Sequence, residues 1–177
     1  MTSTGSTDPA WSDRHLVLVD LMGSGKTTVG GVLAERLQRP LVDSDHRIES
    51  STGRTAKQIL AADGLEELRR HGVAALFDAL TEPRPLVIAA AAGVVLDAES
   101  RRRLVEAPAD VVWLDADPAL LPARTSRHQH RPWLDDDPAG TLQRMHLDRQ
   151  PLYFEVADAI VTVGGLTPVE IADRIVP

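Results

Sequence analysis

The residues best equipped for chemistry stand near the start of the chain, in the run Gly23-Ser24-Gly25-Lys26-Thr27-Thr28. Small residues let successive backbone N–H groups turn inward on an anion, a lysine can reach the β and γ oxygens of a nucleoside triphosphate, and a hydroxyl can help hold Mg²⁺. Gly23, Gly25, Lys26 and Thr27 supply these parts, with Ser24 and Thr28 completing the run. An amphipathic helical pattern follows, so the positive end of a helix faces the same anion. The full pattern asks for another glycine five residues before Gly25, where this chain has Asp20. A carboxylate near a triphosphate is repulsive unless it turns away or meets a cation.

A second group of polar residues could serve an acceptor. In Asp43-Ser44-Asp45 one carboxylate can support a hydrated Mg²⁺ and the other can accept a hydrogen bond from an attacking hydroxyl, although the same pair could open a helix as an N-cap. Arg69, Arg131 and Arg149 carry guanidinium forks suited to carboxylate or phosphoryl oxygens, or to a solvated helix surface. His128 and His130 lack spaced carboxylates or cysteines and make a poor metal site. Asp135-Asp136-Asp137 reads as a solvated run ending in a helix cap, and Trp11 and Trp113 as packing residues.

The elements that must position these groups follow from periodicity. His15–Val19 is the first strand, and Val29, Val32, Leu33 and Leu37 recur at helical spacing behind the glycine-rich turn until Gln38-Arg39-Pro40 stops them. Leu41-Val42, Leu86–Ala89, Asp110–Leu114 and Ala159–Val163 are the later strands, continuous and apolar as strands covered on both faces are. Asp117-Pro118 and Asp137-Pro138 place an N-cap before a proline at the first helical position, and Thr167-Pro168-Val169-Glu170 is a capping box. Short strands alternating with helices predict an α/β fold: a three-layer P-loop architecture in which a five-stranded parallel sheet is flanked by helices. Two segments exceed that core. Residues 44–81 read as a helical, substrate-binding insertion and residues 124–137, rich in Arg and His and interrupted by Pro132, as a mobile lid.

Composition sets the outer limits. A chain of 177 residues is sized for one domain, here residues 13–177, preceded by a Ser/Thr/Gly-rich tail, residues 1–12, that reads as disordered rather than as a signal peptide. Its 19 Lys and Arg against 26 Asp and Glu give a net charge of −7, which argues against broad electrostatic capture of nucleic acid or an anionic membrane. The chain has no cysteine, and its longest apolar stretch, Leu86–Leu96, is too short for a membrane span. A soluble, cytoplasmic monomer is the expectation.

From about Leu16 to Ile175 the sequence resembles the shikimate kinase family, whose nucleoside-monophosphate-kinase-like members transfer the γ-phosphoryl of ATP to a ring hydroxyl of shikimate. The family's Asp-x-Asp appears as Asp43-Ser44-Asp45, followed by Ile48-Glu49 and Gly53. The resemblance implies Asp43, with Thr27, for Mg²⁺ and Asp45 for the attacking hydroxyl. The family's Gly-Glu-x-x-Phe-Arg-x-x-Glu becomes Gly64-Leu65-Glu66-Glu67-Leu68-Arg69-Arg70-His71-Gly72. Arg69 matches the arginine that grips the substrate carboxylate. Arg124-Thr125 matches the arginine lying against adenine, and Arg131-Pro132-Trp133-Leu134 matches the lid, implying that Arg131 closes on the transferring phosphoryl group. Arg149-Gln150-Pro151-Leu152-Tyr153 matches the motif whose arginine holds the substrate carboxylate a second time.

After the third strand the family carries Gly-Gly-Gly, whose backbone approaches the substrate ring; this chain has Ala91-Ala92-Gly93. The resemblance thus implies ATP and Mg²⁺ as cofactors, Lys26, Asp45 and Arg131 as catalytic residues, and Asp45, Arg69, Ala92, Gly93 and Arg149 around the acceptor. The departures at Asp20, Leu65, Gly72, Ala91 and Ala92 leave two alternatives: a related cyclitol, amino-shikimate or sugar acid as acceptor, or nucleotide binding with weak or no catalysis. If an alanine replaces a glycine held in the left-handed region, it costs about 1–2 kcal/mol.

Overall fold

The computed structural model describes residues 13–122 and 137–177. Five strands, β1 (His15–Val19), β2 (Leu41–Asp43), β3 (Val87–Ala89), β4 (Ala109–Asp115) and β5 (Ala159–Thr162), form one sheet in the order β2-β3-β1-β4-β5. Every neighbouring pair is parallel. The strands fall where the apolar runs predict, within one residue at either end.

β1 shows why its sequence is continuously apolar. Successive side chains of a strand point to opposite faces. Leu16 and Leu18 pack with Val29 and Leu33 of helix α1 (Lys26–Leu37) and with Ile171, Ala172 and Ile175 of the last helix, α6 (Pro168–Ile175). Val17 and Val19 face the other way. They meet Leu76 and Ala79 of α3 (Ala56–Leu80), Leu104 of α4 (Ala98–Glu106), and Tyr153 and Val156 of α5 (Pro138–Val156). Helices therefore cover both faces, giving the three expected layers.

Local signals fix the element ends. Gln38 adopts φ 54°, ψ 42° and its N–H reaches the carbonyls of Ala34 and Glu35, ending α1 three residues before Pro40. Asp137 accepts the N–H of Gly140 at 2.9 Å and opens α5, and Thr167 and Glu170 form the reciprocal capping box that opens α6. Asp117-Pro118 opens a 3-10 turn, Pro118–Leu120, that passes into helix at Leu121 and Pro122. The helical stretch after β2 consists of α2 (Ser44–Thr52) and α3, and α3 is broken at Gly64, where φ 87° and ψ 177° are closed to most L-residues. Among the described residues no helix is long and apolar enough to cross a membrane.

The strand order reverses at β1, which lies between β3 and β4. In an open parallel sheet ligands bind beyond the carboxyl ends of the strands at such a switch point. The segments that leave β1, β2 and β3 there carry Gly23–Thr28, Asp43–Asp45 and Ala91–Gly93.

Candidate active site

Beyond that edge lies a cleft of about 1070 Å³, lined by every described candidate residue: Gly23–Thr28, Asp43 and Asp45 toward one end, Arg69, Ala92, Gly93 and Arg149 toward the other. Arg124 and Arg131, like His128, His130, Trp133 and most of the expected lid, lie outside the described residues.

The phosphate loop is folded by its own bonds. Gly23 and Gly25 take φ 82° and 99°, which only glycine adopts without strain, and this lets the loop curl. Ser24 donates its hydroxyl to the carbonyl of Leu21 at 2.9 Å. Lys26 Nζ donates to the carbonyls of Asp20 at 3.0 Å and Leu21 at 2.7 Å, which places an ammonium group over the cradle.

Asp20 turns away from the cleft. Its side chain is buried among the core residues, and Oδ1 accepts the indole N–H of Trp113 at 3.1 Å. Burial pushes its pKa up to about 6, against the pull of the Lys26 charge. The carboxylate therefore makes no direct contact with the space a triphosphate would fill.

Asp43 serves two purposes at once. Oδ1 accepts the N–H groups of Asp45 at 2.9 Å and His46 at 3.3 Å, capping α2, while Oδ2 accepts the Thr27 hydroxyl at 2.6 Å. The capping and metal-supporting readings of Asp43 are therefore compatible in one conformation. A hydroxyl beside a carboxylate, next to a phosphate cradle, is the hard oxygen donor set that Mg²⁺ takes in company with phosphates and water, so the residues fit Mg²⁺ and a nucleotide. Asp45, in the first turn of α2, leaves its carboxylate exposed toward the cleft.

The acceptor end is built from α3, α5 and the turn after β3. Arg149 is 6% exposed, and Nη1 donates to the carbonyl of Ala92 at 2.7 Å. Burial and the neighbouring Arg69 both weaken its hold on its proton, so a carboxylate partner would be favoured there. Arg69 passes over Gly93: a Cβ on Gly93 would stand 3.3 Å from Arg69 Cγ. Its guanidinium meets Glu66 at 3.2 Å, an exposed partner that a bound anion can replace.

Ala91 and Ala92 are unstrained, because Gln38 is the sole non-glycine residue with positive φ among those described. Ala91 N–H donates to Ser44 Oγ at 3.0 Å, and Ser44 is itself buried. Two of the departures from the family pattern are also sterically coupled: a Cβ on Gly72 would lie 3.0 Å from the methyl of Ala91. That methyl cannot rotate away, and the Ser44 bond restrains its backbone. Gly72→Ala would gain about 1 kcal/mol in an open helix. Here it is expected to lower the Tm, whereas in an Ala91→Gly background the same change is expected to raise it by about 2–4 °C. Thermal unfolding of the two single variants and the double variant checks this, and a rise for Gly72→Ala alone would show that the contact is slack.

Sequence reasoning passed over several residues of the cleft. Lys57 and Leu60 of α3, and Met145, Leu166 and Ile171 toward the nucleotide end, line it without any local motif to announce them. Ser44 stood inside a quoted motif, but its link to Ala91 joins residues far apart in sequence.

Comparison with known proteins first defines the class. The fold matches a gluconokinase from Sinorhizobium meliloti with a TM-score of 0.55 at 19% identity over 92% of this chain and 89% of that one, a likeness of fold alone. A shikimate kinase from Acinetobacter baumannii, solved in complex with shikimate, matches with a TM-score of 0.86 and 34% identity over 93% of this chain and 92% of that one. These define a P-loop small-molecule kinase. The shikimate kinase family model matches residues 22–177, and shikimate kinases of Dechloromonas aromatica and Bordetella pertussis are 44% and 37% identical over 84% and 93% of this chain, covering 80% and 78% of their own lengths. The chain belongs to the shikimate kinase family.

Proposed function

We propose that this enzyme phosphorylates shikimate to shikimate 3-phosphate, with ATP as donor and Mg²⁺ as its companion ion. The observation that carries this reading is the cleft itself, with a phosphate cradle at one end, the arginine pair Arg69 and Arg149 at the other, and the Asp45 carboxylate reaching the same space. ATP with Mg²⁺ supplies an electrophilic γ-phosphorus. Gly23–Thr28 bind the phosphates, and Lys26 neutralises charge that develops as the phosphoryl group transfers. Thr27 and Asp43 hold the ion. Arg69 and Arg149 fix the carboxylate of the acceptor, and Ala92 and Gly93 border its ring. Asp45 accepts the proton of the attacking hydroxyl as its oxygen bonds to phosphorus and the bond to ADP breaks. Arg124 and Arg131 complete the nucleotide side as the resemblance implies.

The test is ADP release with and without shikimate. Stimulation at millimolar shikimate supports the reading, and its absence overturns it. A related acceptor is favoured by one feature, Ala91, backed by the buried Gly72, together with Leu65 along the acceptor wall. A screen of polyol carboxylates decides between the two, because activity on shikimate well above all others removes the alternative.

A further inference from the structure

Asp20 is a charged residue that the reaction does not use, placed where the family pattern has glycine. Its carboxylate is 1% exposed, at the carboxyl end of β1 beneath the phosphate loop. Oδ1 has the neutral indole N–H of Trp113, and Oδ2 has no hydrogen-bond partner. The titratable groups facing it are Lys26 from the loop and His146 and Tyr153 from α5, with Arg149 beyond Tyr153. Tyr153 stacks on Trp113 with ring centroids 5.3 Å apart, and the His146 ring lies 6.1 Å from the same indole. His146 Nδ1 is also without a partner, while the Tyr153 hydroxyl faces the Arg149 guanidinium. The carboxylate therefore sits in poorly solvating surroundings, and the loop lysine is the strongest of the influences that keep it charged.

We propose that Asp20 is a positioning residue for the phosphate loop, serving as the resting counter-charge of Lys26 and taking up a proton when the triphosphate enters. The inference rests on the nucleotide-binding reading above. In the free protein the Lys26 ammonium group, held 3.0 Å from the Asp20 backbone carbonyl, supports the carboxylate through its field rather than through a direct ion pair. A bound triphosphate takes over the Lys26 charge and adds negative charge of its own, so the Asp20 anion loses its main support and the neutral acid becomes the stable form. A neutral carboxyl can still accept from Trp113. Burial raises free Asp20 to about 6, and with triphosphate bound it is expected to titrate higher. Binding consumes a proton between those values, so nucleotide affinity is greatest at low pH and falls as pH rises through that window.

Calorimetry of ATP with Mg²⁺ at pH 7, in buffers of different ionisation enthalpy and without acceptor, measures the proton count. The wild type is expected to take up about one proton more per nucleotide than Asp20→Asn, which keeps an acceptor for Trp113 but cannot titrate. The Trp113 indole N–H resonance of the wild-type protein, identified by its loss in Trp113→Phe, provides a readout that needs no Asp20 variant. It is expected to titrate with a midpoint near pH 6 and to shift that midpoint upward when nucleotide is added. Equal proton uptake in wild type and variant, or an indole signal that does not titrate, overturns the proposal while leaving the kinase reading intact. Absence of any nucleotide binding overturns both.

Discussion

Lys26→Ala is expected to lower kcat/KM by about 10³-fold or more. The ammonium group is held in place before any ligand arrives, by two backbone carbonyls at 3.0 and 2.7 Å. A donor fixed in that way needs no reorganisation when charge shifts onto the transferring phosphoryl oxygens. The loss should therefore appear mainly in kcat, with a smaller rise in the KM for ATP. Melting curves and steady-state ADP release on the same preparations separate a chemical loss from an unfolded loop. Near-normal turnover in Lys26→Ala with a native Tm would remove Lys26 from the reaction.

Asp45→Asn is expected to lower kcat by about 10²–10⁴-fold while changing the KM for the acceptor far less. Asparagine keeps the shape and one acceptor oxygen but gives up the basicity needed to receive the hydroxyl proton. The structure favours a clean experiment, because the capping bonds of α2 belong to Asp43, and Asp45 is exposed in the first turn of that helix. Its replacement should change the unfolding free energy by no more than about 0.5 kcal/mol, as surface changes do. A kcat within a factor of a few of the wild type would assign proton removal to another group.

Much of this arrangement was legible in the residues. The five apolar runs announced the strands because a sheet covered on both faces needs apolar residues at every position, and Val17 and Leu18 face opposite cores. Gly23–Thr28 announced the cradle because its conformation is local. What escaped is what long-range packing decides. Nothing beside Asp20 in sequence says that Trp113 will be there to turn its side chain inward, and nothing beside Gly72 says that Ala91 will fill the space over it. The break of α3 at Gly64 was hidden in a stretch that reads as helix on either side, since glycine alone does not end a helix.

The place of β1 in the sheet has a bearing on how the protein is made. β1 pairs with β3 on one side and β4 on the other, through contacts such as Leu16 with Val87 and His15 with Ala109. The strand that launches the phosphate loop is thus made before either of its neighbours and gains both only once β4 has followed. Pairings between segments so distant in sequence form slowly, and until they form the apolar edges of β1 stay open to other chains. Nucleotide-binding competence should accordingly emerge only after β4 has been synthesised, and a nascent chain halted before Ala109 should depend on chaperones to stay unaggregated.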